Sequence, residues 1–214
     1  MFITFEGPDG SGKTTQIKAI GSELQAKGYD IIYTREPGGT EISDQIREII
    51  MNMKNKRMAP RTEILLFCSA RAQLVEELIR PALDAGKIVI SDRYADSTLA
   101  YQGYGHGYDQ DVLIQLLNFA TGGLWPDLTL LLDISAEKGL QRRLTNQEEW
   151  NRMDDYQLAF HERVREGYHA LAAADPARWQ RIDADQPAAI ITRQISAVIE
   201  KRLVQSIGKR KNPD

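Results

Sequence analysis

Residues 2–27, FITFEGPDGSGKTTQIKAIGSELQAK, decide the fold. Phe2–Glu6 is a short apolar run of strand type. From Thr14 to Lys27, Ile17, Ile20 and Leu24 recur at helical spacing until Gly28 stops the pattern. Between the two, Gly7–Thr14 fits G-x-x-x-x-G-K-[ST]. Roughly one chain in a hundred of this length would match by composition alone. A match that leaves a strand and opens a helix is the arrangement in which it has a mechanism. Glycines let successive backbone N–H groups converge on phosphate oxygens with no Cβ in the way. The helix start adds the positive end of its dipole. Gly7, Pro8, Asp9, Gly10, Ser11, Gly12, Lys13 and Thr14 are therefore the candidate ATP-binding loop. Lys13 is placed to reach the β- and γ-phosphates, and the Thr14 hydroxyl to ligate Mg²⁺. The competing reading is a glycine-rich turn before an ordinary helix.

Outward from this unit the alternation continues. Asp30–Thr34, Lys87–Ser91, Leu128–Asp133 and Trp179–Ile182 read as strands. Glu41–Met53, Arg61–Ala85, Asp109–Phe119, a segment from Ala136, Asp154–Ala174 and Ala188–Ile207 read as helices. The pattern predicts an α/β fold, a doubly wound parallel five-stranded sheet flanked by helices. Residues 1–207 form one domain on this reading. Residues 208–214, GKRKNPD, read as a frayed, solvated basic tail. Ligands of such sheets bind outside the carboxyl ends of the strands. Three clusters fall there, after Glu6, Thr34 and Ser91.

A chain of 214 residues with 42% hydrophobic and 27% charged residues has ordinary globular usage. At this length roughly 70% of the unfolded surface is buried on folding, enough to need no disulfide or metal staple. The balance of 27 Lys+Arg against 30 Asp+Glu, net −3, offers no basic excess for a nucleic-acid polymer. One cysteine, Cys68, excludes an intramolecular disulfide framework and a cysteine-cluster zinc site, and points to a reducing, cytoplasmic setting. No apolar run approaches the roughly 18 residues of a membrane span. MFITFEGPDG has neither the basic start nor the long apolar stretch of a signal peptide.

A phosphate loop serves kinases, switch GTPases and motor ATPases alike. The N-K-x-D of guanine recognition is absent. Leu130-Leu-Leu-Asp133 is the one late run of Walker-B type, but Asp133 suits the cap of the following helix better. After the third strand comes SDRYADSTLAYQG, residues 91–103. An Asp–Arg pair at that strand end has a chemical use. Asp92 can hold a magnesium-bound water, and the Arg93 guanidinium can grip a second phosphate bidentately. A water-hydrolysing ATPase has no need of the second grip. The alternative is a structural ion pair at a strand terminus.

With FEGPDGSGKTTQ, TREPGGT at 34–40, LLFCSARAQLVEELIRPAL at 65–83, SDRYADSTLAYQG at 91–103 and FHERVREGYHAL at 160–171, nearly the whole chain resembles bacterial-type thymidylate kinases. TREPGGT and DRY…S-T-x-A-Y-Q are particular to that family; the phosphate loop is not. The resemblance implies a phosphate-loop nucleoside monophosphate kinase fold and a homodimer. It implies the reaction ATP + dTMP → ADP + dTDP, in the supply of dTTP. It also implies roles. Asp9 would sit near the thymidylate sugar and hold Arg93 or the 3′-hydroxyl. Arg93 would bind the acceptor phosphate, with Asp92 serving magnesium through water. Glu36 and Pro37 would line the acceptor site. Phe67 would stack on thymine and Arg71, four residues on, would donate to its O4 oxygen; helical spacing alone favours Phe67 as a core aromatic. Ser97, Thr98 and Gln102 would meet the thymine edge. Tyr101 would pack beneath the deoxyribose and leave no room for a 2′-hydroxyl. Cys68 reads as a small buried hydrophobe. Ile182–Pro187 matches the family's adenine loop.

Some members of the family carry an Arg after the loop Asp. Here Gly10 and Ser11 stand there, and in that type the transition-state charge is met by basic residues of a lid. The lid falls at about 142–153, with Arg142, Arg143 and Arg152 as candidates. The family's usual closing pattern is Asp-Arg-x-Glu; this chain has Asn151-Arg152-Met153-Asp154. For Arg142 and Arg143 the competing reading is a solvated basic helix face. Two further classes stay open: another nucleoside or nucleotide kinase, for which Glu36 is the one candidate base by position, and a nucleotide-binding regulator without turnover.

Overall fold

A computed structural model describes residues 1–145, 152–153 and 155–211. Its elements run β1 (Phe2–Glu6), α1 (Lys13–Ala26), β2 (Ile31–Arg35), α2 (Glu41–Met51), α3 (Pro60–Leu74), α4 (Arg80–Asp84), β3 (Ile88–Asp92), α5 (Ala95–Thr98), α6 (Gln110–Thr121), β4 (Leu128–Asp133), α7 (Ala136–Thr145), α8 (Leu158–Ala174), β5 (Trp179–Asp183) and α9 (Ala188–Lys211). The five strands form one sheet of order β2-β3-β1-β4-β5, and all its pairings are parallel. This is the doubly wound α/β sheet that the alternation predicts.

Successive β1 side chains serve opposite faces. Ile3 and Phe5 pack with Ile17, Ile20 and Leu24 of α1 and Ile191, Ile195 and Ile199 of α9. Phe2 packs on the other face with Leu74, Val89, Leu113 and Leu117. A third cluster sets Tyr101 and Leu131 against Phe160, Val164 and Tyr168 of α8. β1 and β4 are buried along their whole length, as strands covered on both faces must be.

Three departures from the sequence reading bear on the site. β2 and β3 each end one residue later than the hydrophobic runs suggest, so Arg35 pairs across to Asp92 and Phe5 to the same Asp92. The predicted helix Arg61–Ala85 is interrupted by a π-helical turn, Val75–Ile79. Pro81 follows in the first turn of α4 and has no N–H to donate. Residues 95–105, to which the sequence reading assigned no helix, are helical: α5 and then a π-helical segment, Leu99–Gly105. Its glycines hide it, yet packing demands them. A Cβ on Gly103 would lie 2.2 Å from the Gln110 side chain, and one on Gly105 2.6 Å from the Phe160 ring. Tertiary packing overrides propensity here.

Smaller corrections concern the ends. α8 begins at Leu158, after the predicted Asp154 start. α9 runs through Lys211, past Ile207 and into the segment read as a frayed tail. Residues 146–151 and Asp154, in and beside the predicted lid, and residues 212–214 of the predicted tail lie outside the described residues.

Candidate active site

The loop between β1 and α1 is shaped for an anion. Gly7 (φ 134°) and Gly10 (φ 73°) have left-handed backbones, and a Cβ on either would strike backbone: Leu132 O at 2.3 Å and Gly139 O at 2.0 Å. Gly12, also left-handed, precedes α1, and no side chain caps that helix. Its first N–H groups are left for a ligand. Lys13 is buried, and its Nζ donates to Gly7 O (3.1 Å), Pro8 O (3.0 Å) and Ser11 Oγ (3.4 Å). Burial, and then the nearby Arg93, push its pKa down to about 8. Thr14 Oγ1 donates to Asp92 Oδ2 at 3.1 Å. The two oxygen-bearing side chains expected at magnesium therefore meet. Hydroxyl and carboxylate are hard donors suited to Mg²⁺, which takes few protein ligands and keeps phosphate and water for the rest. Among the described residues no cluster of three or more His, Cys, Asp or Glu could hold a metal alone.

A cavity of about 700 Å³ runs from this loop past the ends of β2 and β3. Asp9, Gly10, Gly12, Lys13, Thr14, Glu36, Pro37, Phe67, Arg71, Asp92, Arg93, Ser97, Thr98, Tyr101, Gln102 and Arg143 all line it. Gly7, Pro8, Ser11, Arg142 and Arg152 do not line it.

Arg93, which lines it, has a left-handed backbone (φ 70°). Its Nη2 donates to Asp9 Oδ1 (2.7 Å) and Tyr101 Oη (3.0 Å), its Nη1 to Ser97 Oγ (3.1 Å) and Tyr168 Oη (2.9 Å). Its guanidinium carbon lies 5.0 Å from the Tyr101 ring centroid. Tyr101 in turn donates to Asp9 Oδ2 at 2.6 Å. Burial opposes the Asp9 charge, but Arg93 and Lys13 hold that carboxyl well below the usual carboxylate range. Asp9 thus joins the phosphate loop to Arg93, one of the two contacts the family resemblance implies for it. Both terminal nitrogens of Arg93 are taken up inside the protein. A phosphate must meet Nε or displace a hydroxyl, which modifies the simple bidentate grip.

At the far end Arg71 is 1% exposed. Its Nε and Nη2 hold Glu36 Oε2 at 2.8 and 2.6 Å, and Nη2 also reaches Tyr94 O and Thr98 Oγ1, each at 3.2 Å. Nη1 is buried with no hydrogen-bond partner among the described residues. A donor so placed suits a ligand acceptor. Glu36 is committed to Arg71, which argues against its service as a general base. Gln102 gives its amide N–H to Glu63 Oε1 (2.7 Å), which leaves its carbonyl to accept. Cys68 is buried, as expected of a small hydrophobe.

The three arginines predicted for a lid separate. Gly139 packs on the phosphate loop, where a Cβ would meet Asp9 O at 2.3 Å. Arg143, four residues on and so on the same face of α7, borders the cavity near Asp9. Arg142 falls one step round. Its Nη1 donates to Ala184 O (3.1 Å) and its Nη2 lies 3.7 Å from Asp185, against the predicted adenine loop and away from the phosphate path. Arg152 is buried and tied to Ile50 O (2.7 Å) and Glu63 Oε2 (2.5 Å), the same Glu63 that holds Gln102. In this structure it braces Glu63, and through it Gln102, and makes no contact with the phosphate loop among the described residues.

Asp133 is not a helix cap. Its oxygens accept from Arg165 (2.8 Å) and Arg181 (2.6 Å), with His169 Nε2 2.9 Å away; burial opposes its charge, but Arg165 and His169 draw its carboxyl pKa down to about 2. Arg47, which sequence reading missed, borders the cavity and donates to Pro37 O at 2.7 Å. The signal was available: a basic residue on the helix that TREPGGT opens.

Comparison with known proteins agrees with this geometry. Residues 5–195 match the family described as Thymidylate kinase. The chain belongs to the thymidylate kinase family. A thymidylate kinase of Roseiflexus castenholzii is 52% identical over 95% of this chain and 94% of its own. That of Thermomicrobium roseum is 48% identical over 98% of both chains. The crystal structure of thymidylate kinase from Ehrlichia chaffeensis superposes with a TM-score of 0.75 at 33% identity, covering 93% of this chain and 98% of that one. Membership makes the chain a kinase of nucleotide biosynthesis, in keeping with the loop, the sheet and the two-ended cavity. Among the described residues no helix is long and apolar enough to cross a membrane.

Proposed function

We propose that the chain transfers the terminal phosphoryl group of ATP to dTMP, giving ADP and dTDP by direct in-line displacement. One observation carries the choice of acceptor. The buried Arg71, braced by Glu36, keeps Nη1 without a partner among the described residues, at the end of the cavity remote from the phosphate loop. A thymine O4 satisfies that donor; the 4-amino group of cytosine does not.

The acceptor phosphate is largely ionised at neutral pH, so no base is needed. Catalysis is then positioning and charge offset between the donor triphosphate and the acceptor monophosphate, which repel each other. Lys13 and the α1 N-terminus hold the donor phosphates, Arg93 the acceptor phosphate, and Arg143 approaches from α7. Thr14 and Asp92 would hold Mg²⁺, which neutralises charge on the donor oxygens. Phe67 stacks on the base, Gln102 and Thr98 meet its edge, and Tyr101 closes the 2′ side of the sugar; Ser97, expected at that edge, instead gives its hydroxyl to Glu6 and receives Arg93 Nη1. The lid at about 142–153 excludes water, since hydrolysis of ATP competes. Neither a nucleic-acid polymer nor a membrane enters this scheme. The single buried cysteine, Cys68, supports a cytoplasmic setting.

The test is kcat/KM across monophosphates. Discrimination of dTMP over dUMP is about 10–200-fold at most, the worth of one methyl group. Rejection of dCMP is stronger, because a buried donor stays unpaired. Arg71→Ala alone strands the Glu36 carboxylate, at a cost of about 3–5 kcal/mol. The double variant Arg71→Ala/Glu36→Gln therefore reports specificity, and it narrows the gap between dTMP and dCMP. Equal use of dCMP and dTMP by the wild type contradicts the assignment.

A homodimer is part of the same proposal. Leu65 on α3 (54% exposed) and Val112 and Phe119 on α6 (54% and 89%) present apolar side chains on two helices that pack together. Val112 and Phe119, seven residues apart, share a helical face. Sedimentation should give twice the 24.2 kDa chain mass, and Phe119→Asp should halve it; a monomeric wild type overturns this.

A further inference from the structure

Glu6, the last residue of β1, is fully buried and has no part in the chemistry above. Its Oε1 accepts from the backbone N–H of Tyr94 (2.8 Å), and its Oε2 accepts from Ser97 Oγ (2.6 Å) and Tyr168 Oη (2.9 Å). Those two hydroxyls are the pair that receive Arg93 Nη1.

Proton counting gives the arrangement its meaning. A hydroxyl has one proton. Arg93 Nη1 has only protons to offer, so it needs two acceptors. Were either hydroxyl to point its proton at Arg93, donor would face donor. A carboxylate that takes both protons leaves both oxygens with lone pairs toward Nη1. The third bond, to Tyr94 N–H, grips the residue after Arg93, whose left-handed backbone an L-residue adopts only under constraint. One carboxylate thus holds both the backbone and the side chain of Arg93.

We infer that Glu6 is a positioning residue of the acceptor-phosphate site, acting through the Ser97 and Tyr168 hydroxyls to fix Arg93 for the incoming phosphate. The inference rests on the assignment of Arg93 to that phosphate. Its stability consequence is unusual. Burial and the neighbouring Asp96 raise the Glu6 pKa to about 7, while Arg93, Ser97 and Tyr168 oppose the rise. A carboxyl whose folded pKa lies above its unfolded value contributes least to stability at alkaline pH. Above about pH 7 the Glu6 carboxyl carries its charge at a cost in stability, as expected of a group held for function.

Glu6→Gln preserves the shape and reverses the hydrogen bonding. Its carbonyl keeps Tyr94 N–H, but its amide N–H group donates to the hydroxyls. Ser97 Oγ and Tyr168 Oη lie 2.9 Å apart, so one hydroxyl proton can pass between them, but the other must then turn toward Arg93. At pH 8 we expect KM for dTMP to rise tenfold or more, KM for ATP to stay within twofold, and Tm to be no lower than in the wild type. The loss should be non-additive with Ser97→Ala/Tyr168→Phe: the triple variant is no worse in dTMP affinity than Glu6→Gln. Should Glu6→Gln fail to fold, Ser97→Ala/Tyr168→Phe carries the test through the same split between dTMP and ATP. An unchanged KM for dTMP, an equal rise for ATP, or fully additive losses would overturn the inference. A wild type inactive on dTMP marks failure of the proposed reaction itself, and the two failures are told apart by that control.

Discussion

Lys13→Ala is expected to lower kcat by about a thousandfold or more and leave a folded protein. Removing one charged donor aimed at developing negative charge typically costs 10²–10³ in rate, and phosphoryl transfer depends on such donors almost entirely. The fold survives because the Nζ contacts are confined to the loop: Gly7 O, Pro8 O and Ser11 Oγ. The sign of the pH linkage agrees. The folded pKa of about 8 lies below the usual 10.5, so the folded state holds the lysine proton less tightly than the unfolded chain. A buried, charged Lys13 therefore costs stability at neutral pH, and the cost fades as pH rises through that window. Removing the amine should leave Tm at pH 7 nearly unchanged or raised. Steady-state kinetics and a melting curve on one preparation check both halves. Near-normal turnover in a folded variant would remove the phosphate-loop assignment.

Arg93→Ala has the second largest expected effect, about a hundredfold rise in KM for dTMP with a much smaller rise for ATP. A hydrogen bond to a charged group is worth about 1.5–3 kcal/mol, and the upper figure corresponds to this factor. The structure adds a secondary loss. Without Arg93 the Asp9 carboxyl loses its strongest neutralising partner, ahead of Lys13, and its pKa climbs. Arg93→Lys should rescue little, since one ammonium cannot meet Asp9, Tyr101, Ser97 and Tyr168 together. Titration of each ligand separates the cases. Equal weakening of dTMP and ATP means Arg93 is not the acceptor's clamp.

Much of this was legible in the chain because it lies in local patterns. β1, the phosphate loop and α1 occupy one contiguous stretch, and each carries its own signal: an apolar run, spaced glycines, a helical stripe. The DRY and TREPGGT segments were recognisable for the same reason. Features made by distant residues were not. Glu6, Ser97 and Tyr168 meet although they stand far apart in the chain, and nothing in FITFE announces a carboxylate that accepts three bonds. The helical segment 95–105 was hidden by glycines whose purpose is contact with Gln110 and Phe160. Arg142 and Arg143 are neighbours in sequence and look alike. Only the close contact of Gly139 with the phosphate loop decides which of them borders the cavity. Asp133 resembled a cap because it precedes α7; its partners Arg165, His169 and Arg181 come from α8 and β5.

The most direct measurement follows the phosphoryl group. The protein is incubated with magnesium and ATP labelled at the γ-phosphate, with and without dTMP, and the products are separated. The account predicts label in the β-phosphate of dTDP, formed one for one with ADP, and little release of labelled inorganic phosphate when dTMP is absent. Label appearing as inorganic phosphate at the same rate whether or not dTMP is present would contradict it.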